Sequence, residues 1–188
     1  VNGGEREKRQ NGRRERRAPP LDQAGLQELA FGYVARFATS RAKLLTYLRR
    51  KLREREWIGS EEPDVAAVAD KVVDLGFIDD AAFAGMKAAS LTRRGYGKGR
   101  VRIALAASGI GAEDGSEALA HAGEQQVAAA LRFAERRRIG PYAEAPSDPA
   151  GRQKALAAML RAGHPMDLAR RIVAAAPGNL DGFADDGQ

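Results

Sequence analysis

The side chains that could do covalent or metal chemistry in this chain are few and poorly assembled. Two carboxylate pairs, Asp79-Asp80 and Glu61-Glu62, have the type needed for acid–base work. Both stand at apparent helix starts, where a carboxylate accepts from free backbone N–H groups and meets the positive end of the helix dipole. Capping is the stronger reading and catalysis the weaker. The two histidines, His121 and His164, lack ligand-spaced partners and read as ordinary helix-end residues, and the absence of cysteine removes a thiolate nucleophile and a cysteine zinc site. No enzyme, metal or cofactor is expected.

Gly95-Tyr96-Gly97-Lys98-Gly99 invites a phosphate-loop reading because glycine backbone lets an anion approach closely. It lacks the Gly-Lys-Ser/Thr ending and a preceding strand, so a tight turn between helices is the stronger reading. Contact of its flanking charges with a polyphosphate or an acidic protein surface stays open. Placed at 100° per residue on a helix starting near Ser40, Leu44, Leu45, Leu48 and Leu52 share one side while Thr46, Arg49, Arg50 and Arg53 share the other, with Lys43 beside them. A helix from about Lys98 to Ser108 buries Val101, Ala104 and Leu105, sends Arg100 and Arg102 to opposite flanks and turns Ile103 outward. An outward aliphatic flanked by arginines suits a docking surface or a neighbouring helix. Tyr96 would anchor that surface or close the turn. Trp57, next to Ile58, reads as a satellite hydrophobic contact in preference to a base-stacking platform.

The elements that must position these groups are helical. Of 188 residues, 44% are apolar with few aromatics and much alanine, a balance that favours closely packed helices over a β-sandwich. The expected fold is all-α, an elongated, curved array of three tandem three-helix units: a first unit over 21–75, a second over 76–122 and a third over 123–176. The basic segment 1–20 is expected to be a disordered arm and 177–188 a flexible tail. In the second unit a short, weak helix is expected around Ser116 to His121. In the third, Asp148 and Pro149 mark a helix start after the Gly140 to Pro149 loop. Overlaying the middle helices of the units puts Leu44 on Val101 and Ala155, and Leu48 on Leu105 and Met159.

Charge points to an anionic partner: the formal net charge is +6 and the pI about 9.9. Residues 1–20 hold seven Lys or Arg against three Glu, so four of the six net charges lie in that arm. No apolar run reaches the length of a membrane span, and a cytoplasmic, reducing location is expected.

The densest local signal is Gly76-Phe77-Ile78-Asp79-Asp80-Ala81-Ala82-Phe83-Ala84, followed by Arg93-Arg94-Gly95-Tyr96-Gly97-Lys98-Gly99-Arg100. Gly76 suits a left-handed helix end, Asp79 an N-cap, and Ile78 with Phe83 the two positions of a hydrophobic staple. This run resembles the central signature of the RecX family, small all-helical regulators of the RecA recombinase. The likeness extends from Ser40 to Ile110, and more loosely from Glu124 to Ala176, including the ending Met159-Leu160-Arg161-Ala162-Gly163. The connector Arg53 to Pro63 is longer and more acidic than the family's. The resemblance implies a non-enzymatic protein that lies in the groove of the RecA–DNA filament and limits ATP hydrolysis, strand exchange and the SOS response, and stacked units that bury core against their neighbours suit a monomer. Its implied partners are the filament and single-stranded DNA, with double-stranded DNA a further candidate. The residues expected to contact filament or DNA are Arg49, Arg50, Arg53, Arg93, Arg94, Tyr96, Lys98, Arg100 and Arg102. Gly76, Asp79, Asp80, Phe83, Gly95 and Gly97 are expected to be structural. A stand-alone helical DNA-binding protein is the alternative.

Overall fold

The structure is a computed structural model that describes residues 18–183. The arm expected over residues 1–20 therefore lies outside the described residues except for Ala18, Pro19 and Pro20, which are exposed. Among the described residues there are nine α-helices, one short 3-10 turn and no strand beyond an isolated bridge between Leu21 and Trp57.

The first unit comprises α1 (Gln23–Val34), α2 (Arg41–Glu54) and α3 (Val65–Asp74); the second, α4 (Asp80–Arg93), α5 (Lys98–Ala106) and α6 (Ala112–Glu124); the third, α7 (Gln126–Arg137), α8 (Pro149–Arg161) and α9 (Met166–Ala174). Each unit has its own core. Leu26, Leu44, Leu48, Val68 and Val72 centre the first; Phe83, Val101, Leu105 and Ala118 the second; Phe133, Met159, Leu168 and Ile172 the third. Fully burying one such large side chain is worth about 1.5–3 kcal/mol, so three small cores can each hold a unit only with help from neighbours. The first unit meets the second through hydrogen bonds of Ser40 and Asp80, and the third packs on the second where α7 meets α4 and α6.

Local chemistry explains most helix starts. Asp22, Ser40, Asp64, Asp79 and Asp148 each accept from the backbone N–H three residues on, the usual N-cap geometry. Asp64 therefore does what was expected of Glu61-Glu62. Those two lie in the connector, where the Glu61 carbonyl accepts from the Trp57 indole at 2.7 Å. Trp57 packs beside the first core, in keeping with a satellite contact. Gly76 takes the left-handed φ of 75° expected at the end of α3.

Three expectations need correction. The weak helix around Ser116 to His121 is a thirteen-residue helix that makes the broadest contact of any pair, against α4. Gly115, Ala118 and Ala122 are poor sequence markers, yet their small side chains let two backbones approach closely. Of the tail expected over 177–188, residues 184–188 lie outside the described residues, while the part from Pro177 folds back as far as Phe183, which is buried in the third core. The Gly178 N–H donates to the Pro141 carbonyl at 2.8 Å and Arg171 donates to the Gly182 carbonyl at 2.6 Å. Finally, Ile78 and Phe83 do not close on one another as a staple. Ile78 completes the first core and Phe83 the second, so α4 is set in place from both sides.

Candidate interaction surface

The middle helices α2, α5 and α8 are arranged end to end, and two joints hold them so. At the first joint the C-terminal end of α5 meets the N-terminus of α2. The Ser40 hydroxyl donates to the Ser108 carbonyl at 2.5 Å while accepting from the Lys43 N–H at 3.3 Å. The Arg41 N–H donates to Asp80 at 3.0 Å, so Asp80 caps a helix 39 residues away from it. Burial pushes the Asp80 carboxyl above the usual range, the Arg41 N–H works against that, and neighbouring Asp114 and Asp79 add to the rise.

At the second joint the C-terminal end of α8 meets the N-terminus of α5. The Gly97 N–H donates to the Ala162 carbonyl at 2.9 Å and the Gly99 N–H to the Gly163 carbonyl at 3.0 Å. The buried His164 ring donates through Nε2 to the Gly95 carbonyl at 3.1 Å and lies 5.6 Å from the Phe133 ring. Burial holds its pKa below the ordinary histidine value, with the Gly95 bond opposing. His164 is thus a joint residue as well as a helix-end one. A β-carbon on Gly97 would sit 2.5 Å from the Gly163 carbonyl carbon and 2.8 Å from the His164 nitrogen, so the turn fits only without a side chain there. Two amides that a phosphate loop would offer to an anion are already committed to backbone carbonyls. The glycine run is the tight turn between α4 and α5 that was expected, and it also serves as a joint between units.

Outside these joints lies a run of exposed cations. Arg94 and Arg100 line a groove of about 460 Å³ between α4 and α5, together with Lys87, Ser90 and Ile103. Lys98, Arg100 and Arg102 line a second of about 390 Å³ between α5 and the end of α8, with Arg161 on the far wall. Ile103, 60% exposed, is the ridge between them, as the outward aliphatic predicted. Lys87, Ser90 and Arg161 were missed from sequence. The 87, 90, 94 spacing, three and four residues apart on α4, was the available signal.

The structure does not gather the whole expected set. Arg93 is exposed on the last turn of α4 and lines neither groove. Arg49, Arg50 and Arg53 are exposed on α2 and belong to a different region. Arg53 lines a separate depression with Pro19, Pro20 and Glu56, while Arg50 stands 3.6 Å from Glu54 and over the Tyr47 ring. Tyr96 turns inward, half-buried against the third core, with the Arg94 guanidinium 5.4 Å from its ring centroid. The ring thereby steadies Arg94 at the mouth of the α4–α5 groove.

Among the described residues no cluster of His, Asp or Glu is spaced to hold a metal ion, and no helix is long and apolar enough to cross a membrane. Residues 79–119 match the family model of the second three-helix domain of RecX. The chain is 29% identical to the regulatory protein RecX of Myxococcus xanthus (strain DK1622), over 94% of this chain and 98% of that one. It is 32% identical to the regulatory protein RecX of Mycobacterium sp. (strain KMS), over 82% of this chain and 85% of the relative. The crystal structure of RecX from Lactobacillus salivarius superposes with a TM-score of 0.63 at 19% identity, covering 80% of this chain and 93% of that one, and so shares the fold. With tandem three-helix units, the central signature and long matches to curated relatives in agreement, this chain belongs to the RecX family of regulatory proteins.

Proposed function

We propose that the protein is a non-enzymatic, monomeric, cytoplasmic regulator that lies in the groove of a RecA–DNA filament and lowers its ATP hydrolysis, strand exchange and SOS activity. The observation that carries this reading is the pair of basic grooves flanking Ile103, set on a spine of end-to-end helices. An elongated body can span successive filament subunits, so contacts that are individually weak and solvent-exposed act together. Arg94, Lys98, Arg100 and Arg102 are the residues assigned to the contact, and Arg49, Arg50 and Arg53 to a second area further along the array. Gly76, Asp79, Asp80, Phe83, Gly95 and Gly97 are assigned a structural part, shaping the turns, cap, core and joints on which these areas rest.

RecA ATP hydrolysis on single-stranded DNA, measured with increasing amounts of this protein, tests the reading. Inhibition is expected, and changing Arg94, Lys98, Arg100 and Arg102 together to Glu should abolish it. Undiminished hydrolysis at any excess would remove the filament role. Tight, salt-dependent DNA binding by the protein alone would then favour a stand-alone nucleic-acid-binding function.

A further inference from the structure

Lys43 from α2 and Lys87 from α4 meet above one ring. Their ammonium nitrogens lie 5.3 Å and 5.5 Å from the Phe83 centroid, and the two charges act on one another. Burial first, and then the Lys43 ammonium, lower the pKa of Lys87. Holding two like charges together costs free energy, and among the described residues neither lysine has a carboxylate partner in an ion pair. The Phe83 ring face offsets part of that cost through its quadrupole, but it cannot supply a counter-charge. An oxyanion with several acceptor oxygens, bound between the two ammonium groups, would.

The surroundings select the kind of oxyanion. Lys87 also lines the α4–α5 groove, and Ser90 and Arg94 follow it on the same stripe of α4. From Lys87 to Arg94 the helix rises about 10 Å, and Arg100 faces them across the groove. A row of cations of this length fits repeated charges on one flexible polymer. Phe83 is buried under the lysines, so no exposed ring is offered for a base to stack on. Recognition would therefore be through phosphates and independent of sequence. We propose that Lys43 and Lys87 form a phosphate subsite over the Phe83 ring, from which a single-stranded nucleic-acid backbone is led along α4 to Arg94 and Arg100.

The identity of the polymer rests on the filament reading above; the convergence of the two lysines does not. The test measures binding of the full chain to fluorescein-labelled oligodeoxythymidylate by anisotropy over a series of salt concentrations. K43Q/K87Q should weaken binding about tenfold near 0.1 M salt and reduce the slope of log affinity against log salt by about 0.7–1.4, the loss of one or two phosphate contacts. In the unaltered chain, lysine acylation read by mass spectrometry should show Lys43 and Lys87 protected by the oligonucleotide while Lys71 and Lys154 remain reactive. That footprint decides the matter should the double variant not fold. Unchanged affinity and slope, no oligonucleotide binding by the unaltered chain, or unprotected lysines would overturn the subsite. If K43Q/K87Q binds the oligonucleotide normally but no longer inhibits RecA, the lysines face an acidic protein surface and the phosphate assignment is wrong. If it binds the oligonucleotide weakly yet still inhibits RecA, the subsite stands and its part in the filament role falls.

Discussion

The two joints place helix ends in the same relation by different chemistry. At the first, side chains do the joining: the Ser40 hydroxyl reaches the Ser108 carbonyl, and the Asp80 carboxylate reaches the Arg41 amide. At the second, backbone meets backbone, with Gly97 and Gly99 donating to Ala162 and Gly163. The second joint is also broader, because α4 and α6 both pack on α7 across it, whereas the first has no comparable helix-on-helix contact. A side-chain joint tolerates a shifted neighbour, since rotamers can follow it. A backbone joint holds distance more strictly and depends on glycine. The signature of glycines around Tyr96 therefore records a packing requirement between units.

Glycine substitution should break the two joints in different ways. Gly97→Ala should cost roughly 3 kcal/mol, since the new methyl meets main-chain atoms of Gly163 and His164 and the two joining hydrogen bonds cannot both form. Gly109→Ala in the first joint meets the Ala42 methyl and sits at a φ of 70°. It should cost about 2–3 kcal/mol, from a steric part and a left-handed strain of about 1 kcal/mol. Adding Ala42→Gly should recover part of that steric loss, whereas no side-chain deletion can rescue Gly97→Ala, because what it strikes is backbone. Urea midpoints of Gly97→Ala, Gly109→Ala and Gly109→Ala/Ala42→Gly measure this. A double variant no more stable than Gly109→Ala alone would erase the distinction between the joints.

Ser40→Ala isolates the side-chain joint. It removes the cap on Lys43 and leaves the buried Ser108 carbonyl without its donor, an expected loss of about 1–2 kcal/mol. Denaturant melts should show this loss with little change in amide exchange at Gly97 and Gly99.

A pH series separates the joints next. His164 is neutral when buried, and its folded pKa is depressed, so the unfolded chain binds the proton more readily. The contribution of His164 is fully present above about pH 6.5 and is lost progressively as pH falls through that value toward the lower, folded pKa. Amide exchange at Gly97 and Gly99 should speed up between pH 7 and pH 5 relative to amides at the first joint. His164→Gln should remove most of that difference.

The smallest effect is expected from the grooves themselves. Reversing Arg94, Lys98, Arg100 and Arg102 to Glu should change stability by only about 0.5 kcal/mol per site or less, since these side chains are exposed. A large drop in the melting midpoint would make them part of the joints and not of an interaction surface.

Much of this was legible in the sequence because it is local. Helix caps act over three residues, so Asp79 and Asp148 could be placed from their neighbours alone, and the start of α2 near Ser40 followed from its leucine stripe. The overlay of Leu48 with Leu105 and Met159, and of Leu44 with Val101, falls on buried positions of the middle helices, while Ala155, the third-unit counterpart of Leu44, is only half-buried. What could not be read is what crosses between units. Asp80 looks like a second cap for α4 until its partner Arg41 is seen. Tyr96 looks outward until the third core draws it in. Lys43 and Lys87 are 44 positions apart in the chain, and nothing in spacing or composition announces that they share the Phe83 ring. The helix around Ala118 was underestimated because alanine and glycine give a weak periodic signal even where they permit the tightest contact.

The end-to-end order of α8, α5 and α2 has a mechanical consequence. Three stiff rods coupled through two short contacts in series share any axial load equally, while the compliance resides almost entirely in the couplings. Stretched from its ends, the molecule would lengthen in two discrete steps, the narrower coupling at Ser40 yielding before the broader one at Gly97. Bending would be concentrated at the same two points, so the cation-bearing segments would move as stiff pieces about them, as on a folding rule.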